Sequence, residues 1–213
     1  MHSWARVTKF GKDGERRLFA ATVPKLWDMA DEEAEALMHQ ACEFESGMPN
    51  VVVVRNRLVC NRDENDAWGK AVPRHQELPA CYFTRQFDDF QIYDGNSKWR
   101  TVTQKPGPPW GRTNPKFKAM ACFNGEGQGI GIYSPTADAH WNFGPVGGNK
   151  DKASATDSSC VHLAPIGTVP LGSKSVLEYR YWIVCASKAE IGNRFEQLRQ
   201  QYKNEKLQLT EGE

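Results

Sequence analysis

Two short stretches hold side chains whose types and spacing suit acid–base chemistry. In AVPRHQELPACYF, residues 71–83, extended chain sends His75 and Glu77 to one side and Arg74 and Gln76 to the other. Residues two apart on a strand have Cα atoms about 7 Å apart. A histidine and a carboxylate at that separation can flank one small substrate, one taking a proton while the other gives one. Pro73 and Pro79 stiffen both ends and keep the segment from lying deep within a sheet. The bland alternative pairs Glu77 with Arg74 or Arg85 and leaves His75 on the surface.

The second stretch, GEGQGIGIYSPTADAHWNFG, residues 125–144, brings glycines at every second position and then His140, Trp141, Asn142 and Phe143. A phosphate-binding glycine loop needs a helix after its glycines, and here IYSP follows instead. Glycine at period two places Gly125, Gly127, Gly129 and Gly131 on one face of a strand, which a packing aromatic or a ligand can then approach closely. Sugars offer C–H faces that stack on aromatic rings and hydroxyls that need polar partners. Trp141, His140 and Asn142 can supply both. The competing reading is a tryptophan packed into the core, with His140 and Asn142 serving a turn.

His75, Glu77 and His140 are therefore the candidate catalytic residues. Arg74, Trp110, Tyr133, Trp141 and Asn142 are the candidate substrate contacts. The same two histidines and Glu77 could also form a three-ligand metal set. No metal and no cofactor is expected, because the chain has no CxxC pair and no Walker lysine. No GxSxG elbow is present to suggest a serine hydrolase.

The elements that must hold these residues read mainly as strands. WARVTKF (4–10) and RRLFAAT (16–22) flank a turn with Asp13-Gly14 and form a hairpin. DMADEEAEALMHQACEFESG is rich in Ala, Glu and Leu. It predicts a helix over 31–45, capped by Asp28 or Asp31, with Leu37, Ala41 and Phe44 inward. Four consecutive valines in NVVVVRNRLVC predict a buried strand. Beyond them PACYFTRQF, DFQIYDG, KWRTVTQ, FKAMACFNG, QGIGIYS, CVHLAPIG and VLEYRYWIVCAS all read as strands separated by turn residues. QKPGPPWGRTNP, 104–115, is a stiff loop of the kind that builds sites. SKAEIGNRFEQLRQQYKNEKL predicts a closing helix over 187–207, with Ser187 and Glu190 as a capping box and Ile191, Phe195 and Leu198 inward. The tail QLTEGE is expected to be loose. The expected fold is a mainly β, antiparallel sandwich with two flanking helices, one domain over 1–213.

Composition narrows the partners. Among 213 residues, 27 Lys and Arg meet 26 Asp and Glu, so no global field draws nucleic acid or a membrane. No window approaches 18 apolar residues and no signal-like leader is seen, so a cytoplasmic location is expected. The start in strand-like sequence allows that the chain is a piece of a longer protein. The six cysteines, Cys42, Cys60, Cys81, Cys122, Cys160 and Cys185, read most simply as buried thiols, and their even count leaves disulfides open.

RHQELPACYF with FDDFQIYDG, then GQGIGIYSPTADAHWNFGP, then CVHLAPI and EYRYWIVCAS resemble in layout the C-terminal half of galactose-mutarotase-like β-sandwich proteins, over roughly residues 50–186. The chain is short for the complete two-sheet supersandwich of that family. The resemblance implies a carbohydrate ligand and acid and base roles for a His and a Glu on a concave sheet. The expected function is a sugar acid–base enzyme, epimerase-like or acting on a glycosidic or uronide linkage. The alternatives are a non-catalytic carbohydrate-binding domain and a structural or interaction sandwich.

Overall fold

The four-valine run sits at the centre of the molecule, and the rest of the fold grows from it. A computed structural model describes residues 5–26, 31–66, 69–147 and 161–211. Asp28 and Cys160, singled out above, lie outside the described residues. Val51 to Val54 open β4 (Val51–Cys60). Val51 and Val53 are buried on one face and Val54 on the other, as a strand with covered faces requires. Nine residues of β4 pair with β14 (Ser175–Ser187), whose alternation sends Leu177, Tyr179 and Tyr181 to one side.

Around this pair an antiparallel sheet of ten strands assembles. On one side lie β3 (Ala36–Phe44), β2 (Arg17–Val23) and β1 (Arg6–Asp13). On the other lie β11 (Gln128–Tyr133), β10 (Ala119–Phe123), β7 (Asp89–Gly95) and β8 (Lys98–Val102). The tenth strand, β15 (Gln208–Glu211), also pairs with β14. A five-stranded sheet packs against the larger one. Its order is β5 (Arg74–Glu77), β13 (Val161–Val169), β12 (Trp141–Pro145) and β9 (Gly111–Thr113), with β6 (Cys81–Phe83) also on β13.

The core has two layers. Between the sheets lie Ile92, Met120, Ile132, Trp141, Phe143, Leu163 and Leu177. On the far side of the large sheet, Tyr93, Tyr133, Trp182 and Val184 meet the single described helix, α1 (Lys188–Tyr202). Its predicted stripe, Ile191, Phe195 and Leu198, is fully buried. The Glu190 carboxylate accepts hydrogen bonds from the Ser187 hydroxyl (2.6 Å) and backbone N–H (3.2 Å), which starts the helix where the sequence places it.

Two expectations are corrected. The first helix does not form: residues 36–44 are β3, paired along its length with β2 and β4. The Leu37–Ala41–Phe44 spacing fits a helix, but β3 fills a gap in a sheet whose neighbours satisfy its backbone on both edges. That gain outweighs a modest helix propensity. One flanking helix is therefore described, not two. The tail is not loose either, since Gln208–Glu211 zips onto β14. The 104–115 loop holds a short strand, β9, that places Arg112 on the small sheet.

The glycine question is settled by packing. Gly125 and Gly127 lie in the turn before β11, Gly127 with φ +76°. Gly129 and Gly131 belong to the strand. A Cβ on Gly131 would lie 2.6 Å from the Phe195 ring and 2.7 Å from Ile191, so the bare backbone is what lets α1 dock. Gly131→Ala should cost about 1–3 kcal/mol through overpacking, seen as a lower urea midpoint with an unchanged slope.

Candidate functional site

The outer face of the small sheet gathers the titratable residues. In β5, Gln76 and Arg74 oppose Gly167 and Val169 of β13, while Glu77 and His75 oppose Ile166 and Thr168. Directly paired residues share a face, so Glu77 and His75 lie with His162 and Ala164 of β13. Asn142 pairs with Ala164 on one side and Arg112 on the other, joining the same face from β12 and β9. Tyr82 opposes His162 from β6.

The centre of the cluster is Glu77. One carboxylate oxygen accepts a hydrogen bond from the Asn142 amide at 3.0 Å, and the other lies 3.3 Å from Nε2 of His162. Burial pushes the Glu77 pKa up, but the hydrogen bonds from His162 and Asn142 and the His162 charge more than offset it. The carboxyl stays below its ordinary value. An ionised carboxylate only accepts, so the proton in this pair sits on Nε2 of His162. His162 is fully buried, stacked on Tyr82 at 4.7 Å and tilted against Trp110 at 4.3 Å. Its Nδ1 has no partner among the described residues, so Glu77 is the anchor of the ring.

His140 and His75 stand beside this pair with ring centroids 5.3 Å apart. The His140 pKa is lowered by burial and by the charges of Arg112 and His75, while a hydrogen bond with Asn142 pulls the other way. Asn142 thus links the carboxylate to the half-buried histidine. The face presents an ionised base, a histidine biased toward its neutral form and a neutral amide between them. That set can take a proton at one oxygen of a bound polyol and hydrogen-bond its neighbours.

Of the predicted residues, His75, Glu77, His140, Trp110 and Asn142 are brought together here. Arg74 is not, because strand alternation turns it to the opposite face. Trp141 lies between the sheets with no exposed surface, so it offers no stacking platform. Tyr133, buried at 5.7 Å from Trp182, belongs to the core on the other side of the large sheet. Both aromatics are corrected from substrate contacts to core residues. The three-ligand metal set is not formed either: among the described residues no three of His, Cys, Asp and Glu converge to hold an ion. The five described cysteines are free thiols, and Cys185 is exposed rather than buried.

Sequence reasoning missed His162, Tyr82 and Arg112. The signal for His162 was present: it is the single titratable residue in the apolar run VHLAPI. A buried polar ring needs a partner, and that partner is the carboxylate already singled out.

The pH dependence of stability follows from Glu77. A carboxyl whose folded pKa is depressed stabilises the fold fully above its ordinary value of 4.5 and loses that stabilisation as pH falls through the lower folded value. The urea midpoint of the native protein should exceed that of Glu77→Gln at neutral pH, and the gap should close on acidification below about pH 4.5.

No family model and no curated protein matches the sequence. Among solved structures, the chain is similar to a protein of Escherichia coli K12 provisionally described as an aldose 1-epimerase. The identity is 9% and the TM-score 0.46, over 86% of this chain and 68% of that one. A protein of Klebsiella pneumoniae subsp. pneumoniae MGH 78578 with the same description is similar at 10% identity and a TM-score of 0.42. The likeness covers 92% of this chain but 58% of that one, so the chain spans little more than half of the second neighbour's length.

Proposed function

We propose that the chain acts on a carbohydrate by acid–base chemistry on the outer face of the small sheet, in the manner of an epimerase. The observation that carries this reading is the convergence of Glu77, His162 and Asn142 from three strands. Glu77 is half-buried yet ionised, and among the described residues its partners are His162 and Asn142 rather than an arginine. In this reading Glu77 takes the proton of a sugar hydroxyl. The protonated Glu77 carboxyl gives the same proton back when the oxygen is reprotonated, while neutral His140 hydrogen-bonds the neighbouring oxygen. His162 and Asn142 are positioning residues that fix the carboxylate.

A second reading is non-catalytic binding, favoured by Tyr82, which is 43% exposed and, like Trp110, packs on the His162 ring. A one-dimensional proton NMR time course with aldoses and short oligosaccharides separates the two. Exchanging or new anomeric signals support the enzyme. Broadened signals without new ones support the binding domain and retire the catalytic reading. Spectra identical to a protein-free control reject both for the sugars tested.

A further inference from the structure

A groove of about 960 Å³ lies away from the Glu77 face, on the part of the large sheet that α1 leaves uncovered. Strand register lays out its floor in two rows. In one, Phe19, Ala41, Arg55 and Arg180 are successive cross-strand partners over β2, β3, β4 and β14. In the other, Ala21, His39, Arg57 and Glu178 follow the same order. The small alanines hollow the floor on the β2–β3 side, and the guanidinium groups stand over it from β4 and β14. The segment after α1, at Asn204, Glu205 and Lys206, forms the opposite wall.

The charge placement is costly for a wall with no task. Arg55 and Arg180 are direct cross-strand neighbours, and like charges in that relation destabilise a sheet. Each is held by its own carboxylate, Arg55 by Glu43 at 2.9 Å and Arg180 by Glu205. Arg57 leans on Glu178 at 3.3 Å. Lys9 lies over the Phe19 ring at 5.4 Å. Six Lys and Arg line the groove against two Glu, in a chain whose total charge is nearly balanced.

We propose that this groove is a second binding site, for a carboxylate-bearing saccharide such as a short uronic-acid chain. Arg180 is engaged by Glu205 through two nitrogens, whereas Arg55 gives Nε to Glu43 and keeps its terminal NH2 groups for a planar carboxylate, and the Phe19 ring offers an apolar face for a sugar ring. The volume suits a small ligand. The interleaved glutamates, and a lining whose aromatics are Phe19 and the largely buried Tyr179, disfavour a nucleic acid strand, which needs a continuous cationic track with stacking platforms. The saccharide part of this inference rests on the carbohydrate reading of the Glu77 face, while the anion part does not.

The test is calorimetric titration with trigalacturonate, with its fully methyl-esterified form and with a short single-stranded oligonucleotide. Trigalacturonate should bind, weaken as salt rises, and bind at least about tenfold more tightly than the neutral ester. Arg55→Gln and the exposed Lys9→Ala should each weaken it several-fold, and Lys9→Ala guards against a folding defect at the floor. Absence of trigalacturonate binding, equal affinity for the ester, or unchanged affinity in both variants overturns the proposal. Tighter binding of the oligonucleotide overturns the saccharide assignment. Loss of turnover in Glu77→Gln with the groove affinity intact separates the fate of this site from that of the other.

Discussion

Glu77→Gln should lower sugar turnover by about 10²- to 10⁴-fold, the range for removing a positioned acid–base group, while leaving sugar affinity nearly intact. The substitution is close to isosteric: Gln keeps one acceptor oxygen for the Asn142 amide, and its NH2 group faces His162 Nε2, to which it donates once the ring takes the tautomer with the proton on Nδ1. The sheet edge should therefore hold its shape. What disappears is the ability to take a proton near neutral pH, where the native carboxyl is ionised. NMR turnover with the wild-type substrate gives the rate, and titration with the same sugar gives the affinity. A variant that turns over at the native rate removes Glu77 from the mechanism. A variant that loses affinity while its saturated rate is unchanged assigns Glu77 to binding alone.

Glu45→Ala should destabilise the protein by about 2–4 kcal/mol, because it leaves two donors without an acceptor. Glu45, 8% exposed, accepts a hydrogen bond from the Trp182 indole N–H at 2.6 Å and one from the Tyr202 hydroxyl at 2.9 Å. Trp182 is fully buried in the sheet, and Tyr202 is the last residue of α1. The two rings stack at 4.5 Å beneath the Arg180 guanidinium. The carboxylate therefore fastens the end of the helix to the strand that carries Glu178 and Arg180 of the groove. Glu45→Gln keeps an acceptor and should cost less. Urea unfolding followed by tryptophan fluorescence reads both variants. An alanine variant as stable as the native protein would show that the two donors find other partners.

Elements whose signals are local were legible along the chain. Asp13-Gly14 between two apolar runs predicts the first hairpin, and β1 and β2 form it. Ser187 and Glu190 start α1 at the expected residue, and its stripe is buried as the 3.6-residue period requires. Alternation in VLEYRYWIVCAS yields the faces of β14. Alternation in RHQE also puts His75 and Glu77 together and Arg74 apart, because side-chain direction along a strand is a property of the backbone alone.

The remaining features depend on long-range pairing. Residues 36–44 carry a helix-compatible stripe, and the choice of strand depended on β2 and β4 lying free on either side. Trp141 and Asn142 are neighbours in the chain, yet one fills the core and the other holds Glu77. No pattern within DAHWNFG says which face is covered. His162 joins Glu77 across 85 residues and Asn142 joins it across 65. Contacts at such separation arise from strand pairing, whose register depends on the burial of whole sheet faces rather than on any local preference.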